Sequence, residues 1–126
     1  MRLVKIEGYC KIYAVEIFGK EYRSLFGKSL KDFNDCLSKL NTNLEILDSS
    51  TIEEALTYPQ IEQLKNCGLY AIRHKSKINP RVILAFNYES NIILLTSFKE
   101  KSKSDYDNAI VRAKERMREI DEHYEC

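Results

Sequence analysis

Gly68–Ile120 reads GLYAIRHKSKINPRVILAFNYESNIILLTSFKEKSKSDYDNAIVRAKERMREI. Three runs rich in β-branched and aromatic residues, Leu69–Lys75, Arg81–Tyr88 and Asn91–Phe98, are separated by the turn-forming pairs Asn79-Pro80 and Glu89-Ser90. Short strands punctuated this way predict a three-stranded antiparallel meander, and the two-residue spacing at 89–90 predicts a tight hairpin. Ser104 or Asp105 then opens a helix. Its apolar stripe is Tyr106, Ala109, Ile110, Ala113, Met117, Ile120 and Tyr124, with Arg112, Glu115, Arg116, Glu119 and Glu122 on the opposite face.

Working outward, the segment before Gly68 is helical in pattern. Ser29 has the character of an N-cap, and Leu30, Phe33, Leu37, Leu40, Leu44 and Leu47 follow at spacings of three and four, predicting a helix that ends near Asp48. Ser50-x-x-Glu53 and Thr51-x-x-Glu54 both fit a capping box for a second helix. Pro59 should interrupt it, leaving a short helical segment Gln60–Leu64 before the Asn66-Cys67-Gly68 turn. At the N-terminus, alternation predicts one or two strands within 2–18, the firmer at 10–17, with Gly8 between them. Gly19, Gly27 and the polar residues between them read as loop. The chain is therefore expected to be a single α+β domain over 1–126, with an N-terminal strand, two helices, the meander and a C-terminal helix.

Charge singles out the meander. Lys65–Lys103 holds eight Lys/Arg against two acids, a net +6, while residues 1–64 carry −2 and 104–126 carry −3. The total of +1 conceals this asymmetry, which points to a polyanion-binding surface. Composition, 44% hydrophobic and 31% charged, is that of a globular protein, and no apolar run has the length of a membrane span. The start, Met1-Arg2-Leu3-Val4-Lys5, lacks the features of a secretory signal, so a cytoplasmic location is expected. Cys10, Cys36, Cys67 and Cys126 form no Cys-x-x-Cys pair and the two histidines lie far apart, so neither a metal nor another cofactor is expected, and the thiols read as reduced and structural.

Strand parity nominates the chemistry. If the Tyr70/Ile72 face packs on helices, Arg73 and Lys75 look outward; Arg81 shares a face with Ile83, and Lys99 and Lys101 follow the third strand. Arg73, Arg81, Lys99 and Lys101 thus form a candidate cationic cluster, with Lys75, Lys77 and Lys103 as surrounding contacts for a polyanion, which the resemblance given below implies to be RNA on the ribosome. His74 is the only histidine in the basic region; regular pairing turns it away from Arg73, and a strand that ends early would reverse that.

The order of elements and several short motifs resemble the RelE/ParE toxin superfamily, closest to its HigB-like branch, which includes phage-derived relatives. Leu64–Arg73 (LKNCGLYAIR) is similar to the branch's Leu-x-x-Gly-Leu-Tyr-Glu-Leu-Arg segment, Pro80–Leu84 to its Tyr-Arg-Ile-x-Phe strand, and Ile92–Lys103 to its apolar strand ending in Phe-x-Lys-Lys. Ala109 and Ala113 stand where that family's last helix has small residues. The sequence departs from the pattern with Ala71 in place of Glu, Pro80 in place of an aromatic residue, and Glu100 within the basic turn.

The resemblance implies a RelE-like fold and the toxin of a type II toxin–antitoxin system, a ribosome-dependent mRNA endoribonuclease (mRNA interferase) that blocks translation without a metal. It implies Arg73 as main phosphate and transition-state stabiliser, Arg81 as second clamp, Lys99 or Lys101 as proton handler or anchor, and His74 as a further candidate for proton transfer. The implied partners are a helix-turn-helix antitoxin, in a hetero-oligomer, and the ribosome with its mRNA, with no membrane. A ParE-like gyrase inhibitor without nuclease activity and a non-catalytic phage-derived RNA- or antitoxin-binding protein are the alternatives, because one fold serves several functions.

Overall fold

The N-terminal strands form a hairpin, β1 (Leu3–Lys5) antiparallel to β2 (Ile12–Val15), with Gly8 at φ +93° in the connection. That conformation favours glycine, the residue expected to divide the two strands. The computed structural model describes residues 1–65, 68–87 and 89–124. After the hairpin come α1 (Phe18–Ser24), α2 (Leu30–Ser49) and α3 (Ile52–Ala55), then β3 (Ile61–Gln63), β4 (Leu69–Arg73), β5 (Pro80–Phe86), β6 (Ile92–Lys99) and finally α4 (Lys103–Ile120). The six strands form one mixed sheet in the order β1-β2-β6-β5-β4-β3, giving an α+β fold. β3 to β6 pair successively antiparallel, and β2 runs parallel to β6. Among the described residues no helix is long and apolar enough to cross a membrane.

Three expectations about the elements are corrected. The meander has four strands rather than three, because residues 61–63 extend beside β4, with Ile61 opposite Ile72, instead of forming a helix. Unlike α3, this segment has no capping box to start a helix, whereas β4 offers it a ladder. The stretch read as loop between Gly19 and Gly27 contains α1. Phe18 and Tyr22, one helical turn apart, were its readable signal, and they join Phe26 and Phe33 in a cluster of ring centroids 5.3–6.3 Å apart. The third concerns the hairpin after β5. Asn87 N–H donates to the Asn91 carbonyl at 3.0 Å and Ser90 N–H to the Asn87 carbonyl at 2.9 Å, so the hairpin closes on Asn87 and Asn91 rather than around the Glu89-Ser90 pair alone. Ser90 takes a left-handed φ of +64° there. Tyr88, expected to end the preceding strand, lies outside the described residues, as do Asn66 and Cys67 of the expected turn.

The long helices follow their sequence signals. The Ser29 hydroxyl accepts from Asp32 N–H at 3.2 Å. Of the two capping boxes, Thr51/Glu54 forms. The Asp105 carboxylate accepts from the N–H groups of Lys101 and Ser102 at 2.9 and 3.0 Å, so α4 starts a little before the expected residue. α2 supplies Cys36, Leu40, Leu44 and Leu47 to the core, and α4 supplies Ala109, Ala113 and Met117. Leu30, the first residue of the expected α2 stripe, is exposed.

The sheet is covered on both faces: Ala71 and Ile83 on one and Ile72 and Val82 on the other are all buried. The expectation of a single outward face therefore fails. β5 and β6 already carry the near-continuous apolar runs of strands buried on two sides. The polar face assigned to α4 is corrected too. Leu95 falls at a bulge where Ile83 pairs with Thr96 and Leu84 with Leu94. Its carbonyl accepts from Arg116 Nη1 at 2.8 Å, and that buried guanidinium holds both Glu21 oxygens of α1 at 2.6 Å. A bulge frees a backbone acceptor, and here a buried arginine satisfies it. Arg112 likewise turns inward, to Thr96 Oγ1 at 2.8 Å.

Candidate functional site

β4 and β5 set Arg73 directly opposite Arg81, and Arg81 lies opposite Phe98 of β6. Directly paired residues share a face with Cα atoms about 5 Å apart. The two arginines are therefore neighbours, well inside the reach of one phosphate. Phe98 in turn meets the Tyr106 ring of α4 edge to face at 5.0 Å, so Arg73 and Arg81 lie on the α4 side of the sheet end.

Their guanidinium groups have different surroundings. Arg73 is 43% exposed in its side chain, and its Nη1 donates to Glu62 Oε2 at 2.9 Å. Glu62 Oε1 accepts from Tyr106 Oη at 2.8 Å, and burial, together with this carboxylate, raises the Tyr106 phenol above its usual range. Arg81 is only 7% exposed. Its Nε donates to Glu100 Oε1 at 2.7 Å, and its Nη1 donates to the carbonyls of His74 and Pro80 at 3.2 and 3.1 Å. Arg81 thereby ties the end of β6 to the β4–β5 connection, while Arg73 stays open to solvent.

Both arginines, with Lys75, border a cavity of about 390 Å³. Lys39, from α2, is its fourth cation, and Thr42, Asn43, Pro59, Gln60 and His74 complete the wall, so no lining residue is acidic. Lys39 is held near the rim by its Nζ donating to the Lys75 carbonyl at 3.4 Å. Sequence reasoning did not single out Lys39, whose position depends on how α2 crosses the sheet. A signal did exist one helical turn on: Asn43, a polar residue within the apolar stripe, is buried beside it.

β4 ends at Arg73, and His74, the next residue, also lines the cavity. Its two ring nitrogens are buried and have no hydrogen-bond partner. Burial, then the charges of Lys39 and Arg81, lowers its pKa from 6.5 to about 4. At neutral pH it is an uncharged, flat ring.

The remaining candidates lie outside this cavity. Lys99 and Lys101 border a separate cavity of about 460 Å³ with Arg112 and Asp105. Lys101 and Lys103, with Lys65, line another of about 430 Å³ beside Tyr106. Lys77 faces a small one of about 170 Å³ that also contains Asp32 and Asp35. Among the described residues no group of three or more His, Cys, Asp or Glu side chains is placed to hold a metal ion. Cys10 is exposed and Cys36 buried, both as free thiols; Cys67 and Cys126 lie outside the described residues.

Four basic residues and no acidic one line the cavity, although the two arginines are each paired with a carboxylate outside the lining, Glu62 and Glu100; of the two, Arg73 is the more solvent-open. Compared with known proteins, the chain matches no family model and no curated protein.

Proposed function

We propose that this chain is the toxin of a type II toxin–antitoxin pair of RelE/HigB type, cutting mRNA on the ribosome in the cytoplasm and binding the reacting phosphodiester at the Arg73 cavity. The observation that carries the reading is that four basic residues, Lys39, Arg73, Lys75 and Arg81, and no acidic residue line one cavity. Cleavage beside a 2′-hydroxyl builds extra negative charge on phosphorus, and fixed cations in a partly dry site stabilise it. Arg73 takes that role because its exposed pair with Glu62 is cheap to exchange for a phosphate. Arg81, held by three acceptors, buttresses the wall and adds field. Lys99, Lys101 and Lys103, on adjoining surfaces, track the RNA backbone. The acid that the resembled pattern carries at position 71 has a counterpart in Glu62, which pairs directly with Ala71 across the sheet. A helix-turn-helix antitoxin would silence this cationic surface through complementary charge.

The test is primer extension on a translated message. The parent chain should cut with chelator present. Arg73→Ala should still fold and bind ribosomes yet lose about 10²–10³ in rate, and Lys77→Ala should cut as the parent does. Unchanged cutting by Arg73→Ala refutes the site. No cutting by the parent, with DNA gyrase trapped in covalent complexes, moves the function to a ParE-like inhibitor.

A further inference from the structure

The cationic cavity also has uncharged lining residues, among them Asn43 and Gln60. Asn43 of α2, 4% exposed, sits between Leu40 and Leu44 of the apolar stripe, and Gln60 Nε2 donates to its Oδ1 at 3.0 Å. Gln60 is fixed in turn: it follows Pro59, and its carbonyl accepts from Arg73 N–H at 2.7 Å. The amide pair is therefore pinned to the strand that carries the exposed arginine. A carboxamide has both donor and acceptor capacity, and one shared bond leaves part of each unmet. Among the described residues Asn43 Nδ2 and Gln60 Oε1 have no protein partner. Whichever way the two amides are turned, a donor and an acceptor remain side by side on the cavity wall. Beside them lies the neutral His74 ring, its nitrogens shielded.

We propose that this cavity is a single-nucleotide pocket, in which the cations take a phosphate, the Asn43–Gln60 pair takes the hydrogen-bonding edge of the attached base, and the His74 ring packs flat against that base. The inference rests on the phosphate-binding reading and deepens it: the ligand is one nucleotide of a single strand, held by its base as well as its phosphate. Base edges present adjacent donors and acceptors that a carboxamide meets in pairs. Unstacked bases of single-stranded RNA settle on flat side chains, histidine among them. A cavity of about 390 Å³ is at the small end of ligand sites, the size for one nucleotide rather than a strand.

The experiment is calorimetric titration of the reduced full-length chain with ribose 5-phosphate, the four nucleoside 5′-monophosphates and a trinucleotide. At least one nucleoside monophosphate should bind about tenfold more tightly than ribose 5-phosphate. Gln60→Met should erase that preference while keeping the affinity for ribose 5-phosphate. His74→Leu, which leaves the amides in place, should weaken the preference and serves as the deciding variant if Gln60→Met does not fold. Nucleotides no tighter than ribose 5-phosphate, or a preference unchanged in both variants, would overturn the base-binding role and leave the phosphate site standing. Failure of every phosphate ligand to bind would overturn the phosphate reading itself. The trinucleotide should bind more tightly than its matching monophosphate, because Lys99, Lys101 and Lys103 lie beyond the cavity; equal affinity would assign the pocket to a free nucleotide and overturn the RNA assignment.

Discussion

Replacing Arg81 should unfold the protein more readily than it weakens any ligand, and replacing Arg73 should do the reverse. Arg81→Met removes a guanidinium whose side chain is 8% exposed, and strands the Glu100 carboxylate and the carbonyls of His74 and Pro80. Breaking a buried pair from one side costs about 3–5 kcal/mol. Glu100 is 34% exposed and regains water, so the lower end, about 3 kcal/mol, is the expectation. With a urea slope of about 1.5 kcal/mol per molar, the midpoint should fall by about 2 M. Arg73→Met breaks a pair exposed 43% and 34% on its two sides, which is worth about 0.5 kcal/mol and a midpoint shift of about 0.3 M. Urea unfolding followed by far-ultraviolet circular dichroism measures both. A third chain, Arg81→Met with Glu100→Leu, should recover part of the loss, because removing both charges ends the stranding. Equal destabilisation by the two single variants, or an Arg81→Met midpoint within about 0.5 M of the parent, would refute the division into a buttressing and a solvent-open arginine.

Acid should destabilise the fold through His74. Its folded pKa of about 4 lies below the unfolded 6.5, so its contribution is complete above pH 6.5 and is lost as pH falls toward 4. The difference corresponds to at most about 3 kcal/mol, and about half that once partial exposure is allowed for. His74→Leu should flatten this part of a stability–pH profile, and a profile identical to the parent's would refute the shift. Asp105→Ala should cost about 1 kcal/mol in the same urea assay, by releasing the N–H groups of Lys101 and Ser102 at the start of α4. Arg116→Met should cost about 3 kcal/mol, since it orphans the Leu95 carbonyl at the bulge and the Glu21 carboxylate together, and a loss below about 1 kcal/mol would contradict that role.

Local physics was legible in the chain. The three- and four-residue spacing from Phe33 to Leu47, the Ser29 and Thr51 caps and the Tyr106–Met117 stripe all became helices, because such signals act between residues a turn apart. The β-branched runs became β4, β5 and β6 within one or two residues. What tertiary structure alone decided was everything that joins distant segments. Ile61–Gln63, inside the expected helical segment Gln60–Leu64, became a strand because β4 had an edge to share; Arg112 and Arg116 turned inward because β6 offered hydroxyl and carbonyl acceptors. A charge count shows where cations are dense but not which carboxylate meets which cation: Glu62 came to Arg73 from another strand, and Lys39 entered the cavity from a helix. Periodicity fixes an element's own faces, whereas pairing across the sheet is chosen by the whole chain when it buries its core, and that choice assembled the cavity.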